Sequence, residues 1–70
     1  PRRDGYGVDR GEYISGVTII AVPFFDAEGV VSRSMVAIDI TEKMDARGID
    51  KIAGEMLRMR DRAAGYLIAG

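Results

Sequence analysis

The chain has 70 residues, ten basic and eleven acidic side chains, a net charge of −1 and a pI near 5.2. That balance gives no electrostatic footprint for nucleic acid. The absence of Cys and His removes disulfides, thiolate chemistry, most nucleophile–base pairs and most transition-metal sites. Apolar residues make up 47% and glycine adds nine more, above the roughly 45–50% usual for soluble domains counted with glycine. A chain this short buries only ~60% of its unfolded surface. The apolar excess therefore points to a surface meant for another chain or for a missing part of this one. The start at Pro1 points the same way, toward a piece of a longer protein.

Pro1 to Asp4 reads as a charged, frayed lead-in. Gly5-Tyr-Gly-Val-Asp9 reads as a short strand with glycines at its bends, followed by a polar turn at Arg10-Gly11-Glu12. Tyr13 and Ile14 form one helical turn or a tight loop, which Gly16 ends. Gly5-Tyr-Gly7 is too small a fragment to stand as a phosphate-binding glycine loop. Asp9 admits two readings, a turn-former bonding nearby backbone or a ligand contact.

Val17–Ile40, VTIIAVPFFDAEGVVSRSMVAIDI, reads as two apolar strands around the turn Asp26-Ala27-Glu28-Gly29. Asp can bond the backbone two residues on, and Gly tolerates positive φ. A four-residue loop closed by Phe25 and Val30 sets Val17 opposite Ile38, Ile19 opposite Val36, Ile20 opposite Met35 and Ala21 opposite Ser34. Alternation then groups Val17, Ile19, Ala21, Ser34, Val36 and Ile38 on one face. Thr18, Ile20, Val22, Arg33, Met35 and Ala37 fall on the other. Both faces are largely apolar, so the sheet is expected to be covered on both sides. Pro23, with no N–H to donate, is expected at an edge or beside a bulge. The face carrying Val17, Ile19, Val36 and Ile38 is either plain core or a pocket.

Thr41 to Met44 reads as a connection, and Asp45 as the N-cap of a helix from Ala46 to Ile68. Met44 and Ile49 then stand at the positions of a hydrophobic staple. Ile49, Ile52, Ala53, Met56, Ala63, Ala64 and Leu67 make one apolar stripe. Asp50, Lys51, Glu55, Arg58, Asp61 and Arg62 form a solvated face, so the local arginine cluster needs no nucleic acid to explain it. Gly48, Gly54 and Gly65 each cost a helix ~1 kcal/mol relative to Ala. The helix must therefore lean on packing, most simply across Ile20, Val22, Met35 and Ala37. The fold class is α+β: an antiparallel hairpin or sheet packed against a long C-terminal helix. The longest apolar run, Val17–Phe25, is too short to span a bilayer, and no signal peptide is visible.

Gly5-Tyr-Gly-Val-Asp9, Gly16-Val17 and Ile20-Ala-Val-Pro-Phe-Phe-Asp26 with Glu28-Gly29 together resemble the effector-binding domain of IclR-type transcriptional regulators. That family shows a G-[YW]-x-x-D segment, a glycine before a strand, an I-A-x-P-[VI]-F-D-x-x-G hairpin, a strand ending S-x-S-G-P, and a capped helix. Lys43-Met44-Asp45 falls on the family's basic–apolar–cap step. The resemblance covers residues 5–68 and implies that residues 1–70 are the C-terminal portion of such a domain, GAF-like in fold. It further implies a cytoplasmic, non-enzymatic regulator working as a dimer or tetramer. DNA contacts would be made only by an N-terminal winged helix-turn-helix domain not in this chain, with no membrane partner and no cofactor.

Carried over by the resemblance, the effector contacts fall on Asp9, Val17, Ile19, Val36 and Ile38. The family has small polar residues where this chain has Val36 and Ile38, and Gly-Pro where it has Asp39-Ile40. Ser34 and Asp9 are left as the nearby polar groups. An apolar pocket wall disfavours a bare carboxylate, so the expected effector is an aromatic or branched organic compound. Its polar end would turn to Asp9 and Ser34, or to groups on the missing N-terminal half of the domain. The alternative is a self-contained association module with no small-molecule ligand.

Overall fold

A computed structural model describes residues 5–69, with side chains over 5–63. The lead-in Pro1–Asp4 and the side chains of Ala64, Gly65 and Leu67 lie outside the described residues. Three strands, β1 (Gly7–Arg10), β2 (Val17–Phe25) and β3 (Val31–Ile40), precede two helices, α1 (Thr41–Arg47) and α2 (Ile49–Ala69). The sheet is antiparallel in the order β1-β2-β3. This is the α+β arrangement read from the sequence.

The hairpin turn differs in detail from the four-residue loop. The Asp26 N–H donates to the Val30 carbonyl at 2.9 Å, and the Gly29 N–H donates to the Asp26 carbonyl at 3.0 Å. The Asp26 carboxylate also accepts from the Glu28 and Val30 N–H groups, each at 2.9 Å. The loop is thus three residues long, with Gly29 at φ 80° supplying the left-handed position that closes it. A second irregularity follows between Phe24 and Phe25. Together they slide the strands by two residues, so Val17 faces Ile40, Ile19 faces Ile38, Ile20 faces Ala37 and Ala21 faces Val36. A slip of two preserves which side chains share a face, whereas a slip of one would have exchanged the faces. Pro23 sits one residue before the irregularity, past the end of β1, where a missing N–H costs least.

One face of the sheet makes the core. Ile20, Val22 and Ala53 are wholly buried, Met44 and Met56 nearly so, and Met35, Ala37, Ile49, Ile52 and Leu57 pack around them. Each large side chain here contributes roughly 1.5–3 kcal/mol of burial. Asp50, Lys51, Glu55, Arg58, Asp61 and Arg62 of α2 are exposed, as the stripe requires.

The helical segment begins five residues earlier than the sequence reading placed it. Thr41 opens α1, and Ile40 stands at its N-cap with no side-chain bond. The reason is tertiary. The Thr41 N–H donates to the Gly16 carbonyl at 2.9 Å, and the Thr41 hydroxyl lies 2.8 Å from that of buried Thr18. These bonds hold the first turn of α1 against the start of β2. Gly48, at φ 96°, then breaks the helix in two. Asp45 therefore lies inside α1 and is no cap, and Met44 and Ile49 meet in the core from different helices rather than as a staple.

The opposite face is open. Val36, Ile38 and Ile40 are 50%, 62% and 50% exposed. The expectation of cover on both sides is not met among the described residues.

Candidate functional site

The open face carries every candidate site residue. Pairing sets Asp9 beside Ile19 and Ile19 beside Ile38, so these three cross the sheet as one row. The next row toward the hairpin is Gly7–Ala21–Val36, and beyond it Pro23 pairs with Ser34. Val17 stands on the other flank of the Asp9 row, opposite Ile40. Asp9, Val17, Ile19, Val36 and Ile38 thus form one patch. Ser34 does not join Asp9. It lies two rows and two strands away, and rows lie ~6.8 Å and strands ~4.8 Å apart, which separates them by roughly 17 Å. One small polar group cannot reach both residues at once.

Asp9 owes its position to the loop it ties. Its Oδ1 accepts from the Glu12 N–H at 3.0 Å and the Tyr13 N–H at 3.3 Å, closing the segment between β1 and β2. The turn-forming reading is therefore met. It does not exhaust the carboxylate, because both bonds fall on Oδ1. The adjacent Arg10 N–H donates to the Glu12 carboxylate at 2.8 Å.

Arg10 forks onto Asp45 of α1, with Nε 3.3 Å from Oδ1 and a terminal guanidinium nitrogen bonded to Oδ2. The hydrogen bond to Asp45, and then its charge, hold the Arg10 guanidinium above its ordinary pKa. The strand that presents Asp9 is thereby tied to the helix that follows β3. The sequence reading missed this link. Arg10 and Asp45 are 35 residues apart, and only the third dimension pairs them.

A shallow hollow of about 280 Å³ lies on the open face toward the hairpin, lined by Gly5, Gly7, Ala21, Pro23, Phe25 and Val31 with Tyr6 at its margin. The lining is almost wholly apolar. Sequence reasoning did not assign these residues to a site, although Gly5, Gly7 and Ala21 had a legible sign in common: each leaves a gap where a strand of this composition would carry a bulky side chain. A larger depression of about 360 Å³ lies elsewhere, between Ala46, Arg47, Lys51, Ile52 and Glu55. It is polar, sits on the helices around the Gly48 break, and includes none of the candidate residues. The sheet-face hollow is the better candidate for an organic ligand, because such sites are mostly apolar with a few placed polar groups.

Residues 1–64 match the family model for the bacterial transcriptional regulator IclR C-terminal domain, and the chain belongs to that family. This is a regulatory domain of transcriptional regulators, an effector-binding domain and not an enzyme family. No curated protein and no solved structure matches the chain. Among the described residues, no helix is long and apolar enough to cross a membrane.

Proposed function

We propose that the open sheet face binds a small organic effector, with Val17, Ile19, Val36 and Ile38 against its apolar body and Asp9 at its polar end. The observation that carries the reading is the row Asp9–Ile19–Ile38, which sets one carboxylate beside an exposed apolar surface. Asp9 Oδ2 is the acceptor available for a hydroxyl, an amine or a protonated acid. A bare carboxylate is disfavoured by Asp9 and by the lack of donors at Val36 and Ile38. Ser34, at the hairpin end, serves a longer ligand. In this reading residues 1–70 are the C-terminal portion of the effector-binding domain of a cytoplasmic regulator. Effector occupancy modulates operator binding by a winged helix-turn-helix domain outside this chain.

Self-association belongs to the same reading. Phe25, Val31, Val36, Ile38 and Ile40 are each at least half exposed, and a face of this kind favours dimers or tetramers. The same exposure supports the second reading, in which another chain covers the face and no small molecule enters.

A thermal-shift series with neutral aromatic and branched alcohols or amines separates the two. Effector binding predicts a concentration-dependent rise in Tm that Ile38→Ser reduces, since a ligand selective for the folded state stabilises it by mass action. A Tm that responds to protein concentration and to no compound would favour the association module.

A further inference from the structure

The hollow beside the Asp9 row has a floor with little side chain above the backbone. Gly7 and Ala21 pair across β1 and β2, and Gly5 and Pro23 continue the floor toward Phe25 and Val31. Gly5 needs to be glycine, because its φ is +88°. Gly7 does not. Its backbone lies outside the left-handed region, and a Cβ built on it meets nothing within 4 Å. In a strand, glycine loses backbone entropy and packs nothing, so fold stability alone gives no reason for it at position 7. Its effect on the surface is to leave the hollow unfilled.

We infer that Gly7 sets the size and shape of the effector: it admits one flat ring, laid over Gly7 and Ala21, with a hydrogen-bond donor directed at Asp9. This inference rests on the effector-binding reading and names the ligand class within it. Three features define that class. The volume, about 280 Å³, falls just below the usual ligand range of ~300–1,000 Å³, which suits one ring with short substituents. Shape is the second. Gly7 and Ala21 put at most one methyl above the paired backbone, and the next row carries the longer Ile19 side chain, so a planar ring can lie against the backbone where a branched aliphatic group would leave contacts unmade. The third is polarity. The Tyr6 hydroxyl donates to Asp50 of α2 at 2.8 Å, on the helix side of the sheet, which leaves an apolar lining for the ring. Asp9 is one row away, ~6.8 Å along the strand, within reach of a hydroxyl or amine on the ring's edge. A simple phenol has this form, and a saturated or branched alcohol of equal size lacks the planarity.

The test is an NMR titration of the isotope-labelled 70-residue chain, after its folding is verified by amide dispersion, with phenol and, separately, 3-pentanol. Phenol is expected to shift the amides of Gly7, Ala21 and Phe25 together with that of Asp9. Its affinity is expected to exceed that of 3-pentanol by at least fivefold. Gly7→Val is expected to keep or raise Tm while weakening phenol at least tenfold, and Gly7→Ala to fall between. If phenol shifts Asp9, Ile19 and Ile38 but leaves Gly7 and Ala21 unmoved, the effector-binding reading stands and this inference falls. If neither group moves, both fall. Should Gly7→Val unfold the chain, the wild-type shift map and the Gly7→Ala affinity still decide the matter. An unchanged affinity in Gly7→Ala, with no shift at Ala21, overturns the inference.

Discussion

The hydroxyls of Thr18 and Thr41 lie 2.8 Å apart, joining the fully buried Thr18 at the start of β2 to the first residue of α1. This contact fixes where the helical half of the chain begins. It also gives the one buried polar side chain among the described residues a partner. Thr18→Val removes one hydroxyl and leaves the Thr41 hydroxyl facing an apolar wall. A loss of roughly 1–3 kcal/mol in denaturant unfolding is expected. Thr18→Val combined with Thr41→Val should recover part of that loss, because an apolar pair leaves no unsatisfied group. A double variant as unstable as the sum of the singles would show that the contact does not couple the two elements.

Truncation of the core should divide sharply by face. Ile20 is wholly buried against Ala53 and Met56, whereas Ile38 on the same sheet is 62% exposed. Ile20→Ala is expected to cost about 2–5 kcal/mol. For a domain of this size, with a total stability of roughly 3–10 kcal/mol, that is enough to unfold a large share of the molecules. Ile38→Ala should cost well under ~1 kcal/mol, since little area leaves water there. Comparable losses at the two positions, measured by urea titration, would mean that the open face is covered in solution.

Asp9 should act on its loop through one oxygen. Asp9→Ala removes the acceptor of the Glu12 and Tyr13 N–H groups, and hydrogen exchange at these two amides should accelerate several-fold. Asp9→Asn retains a side-chain oxygen and should preserve most of that protection. Equal exchange rates in all three proteins would remove the loop-tying role assigned to the carboxylate.

The same face should hold copies of the chain together at high concentration. Ile38→Lys places a charge at its centre, and sedimentation should shift toward monomer relative to wild type. A wild-type chain that remains a folded monomer at tens of micromolar would contradict self-association through this surface.

Face membership was legible in the sequence because alternation is a local rule. Every residue from Val17 to Val22, and from Ser34 to Ile38, lies on the side of the sheet that period two assigns. Pairing was less legible. The turn closes at Asp26–Val30 rather than at Phe25–Val30, and the added irregularity at Phe24/Phe25 depends on contacts made after the strands meet. The helix start was misread for a similar reason. Asp45 is a sound capping residue in isolation, but the Thr41 bonds to Gly16 and Thr18 recruit the preceding residues into helix, and Arg10 takes the Asp45 carboxylate. Local propensity yielded there to tertiary contacts. The hollow over Gly7 and Ala21 was hidden because it is made of missing side chains, whose adjacency depends on the β1–β2 register.

The central claim is that the face carrying Val36 and Ile38 receives the effector. It is tested most directly by equilibrium titration of one ring alcohol, phenol, against wild type, Val36→Ser and Ile38→Ser. Each substitution removes apolar atoms from an exposed position, so the fold should persist while ligand contact is lost. Removal of two or three buried carbon groups at ~0.8 kcal/mol each corresponds to a weakening of roughly tenfold or more for a side chain the ligand covers. The account predicts that weakening for Val36→Ser, in the row of Gly7 and Ala21, a smaller one for Ile38→Ser one row away, and unchanged Tm in the absence of ligand. Identical dissociation constants for all three proteins would contradict it.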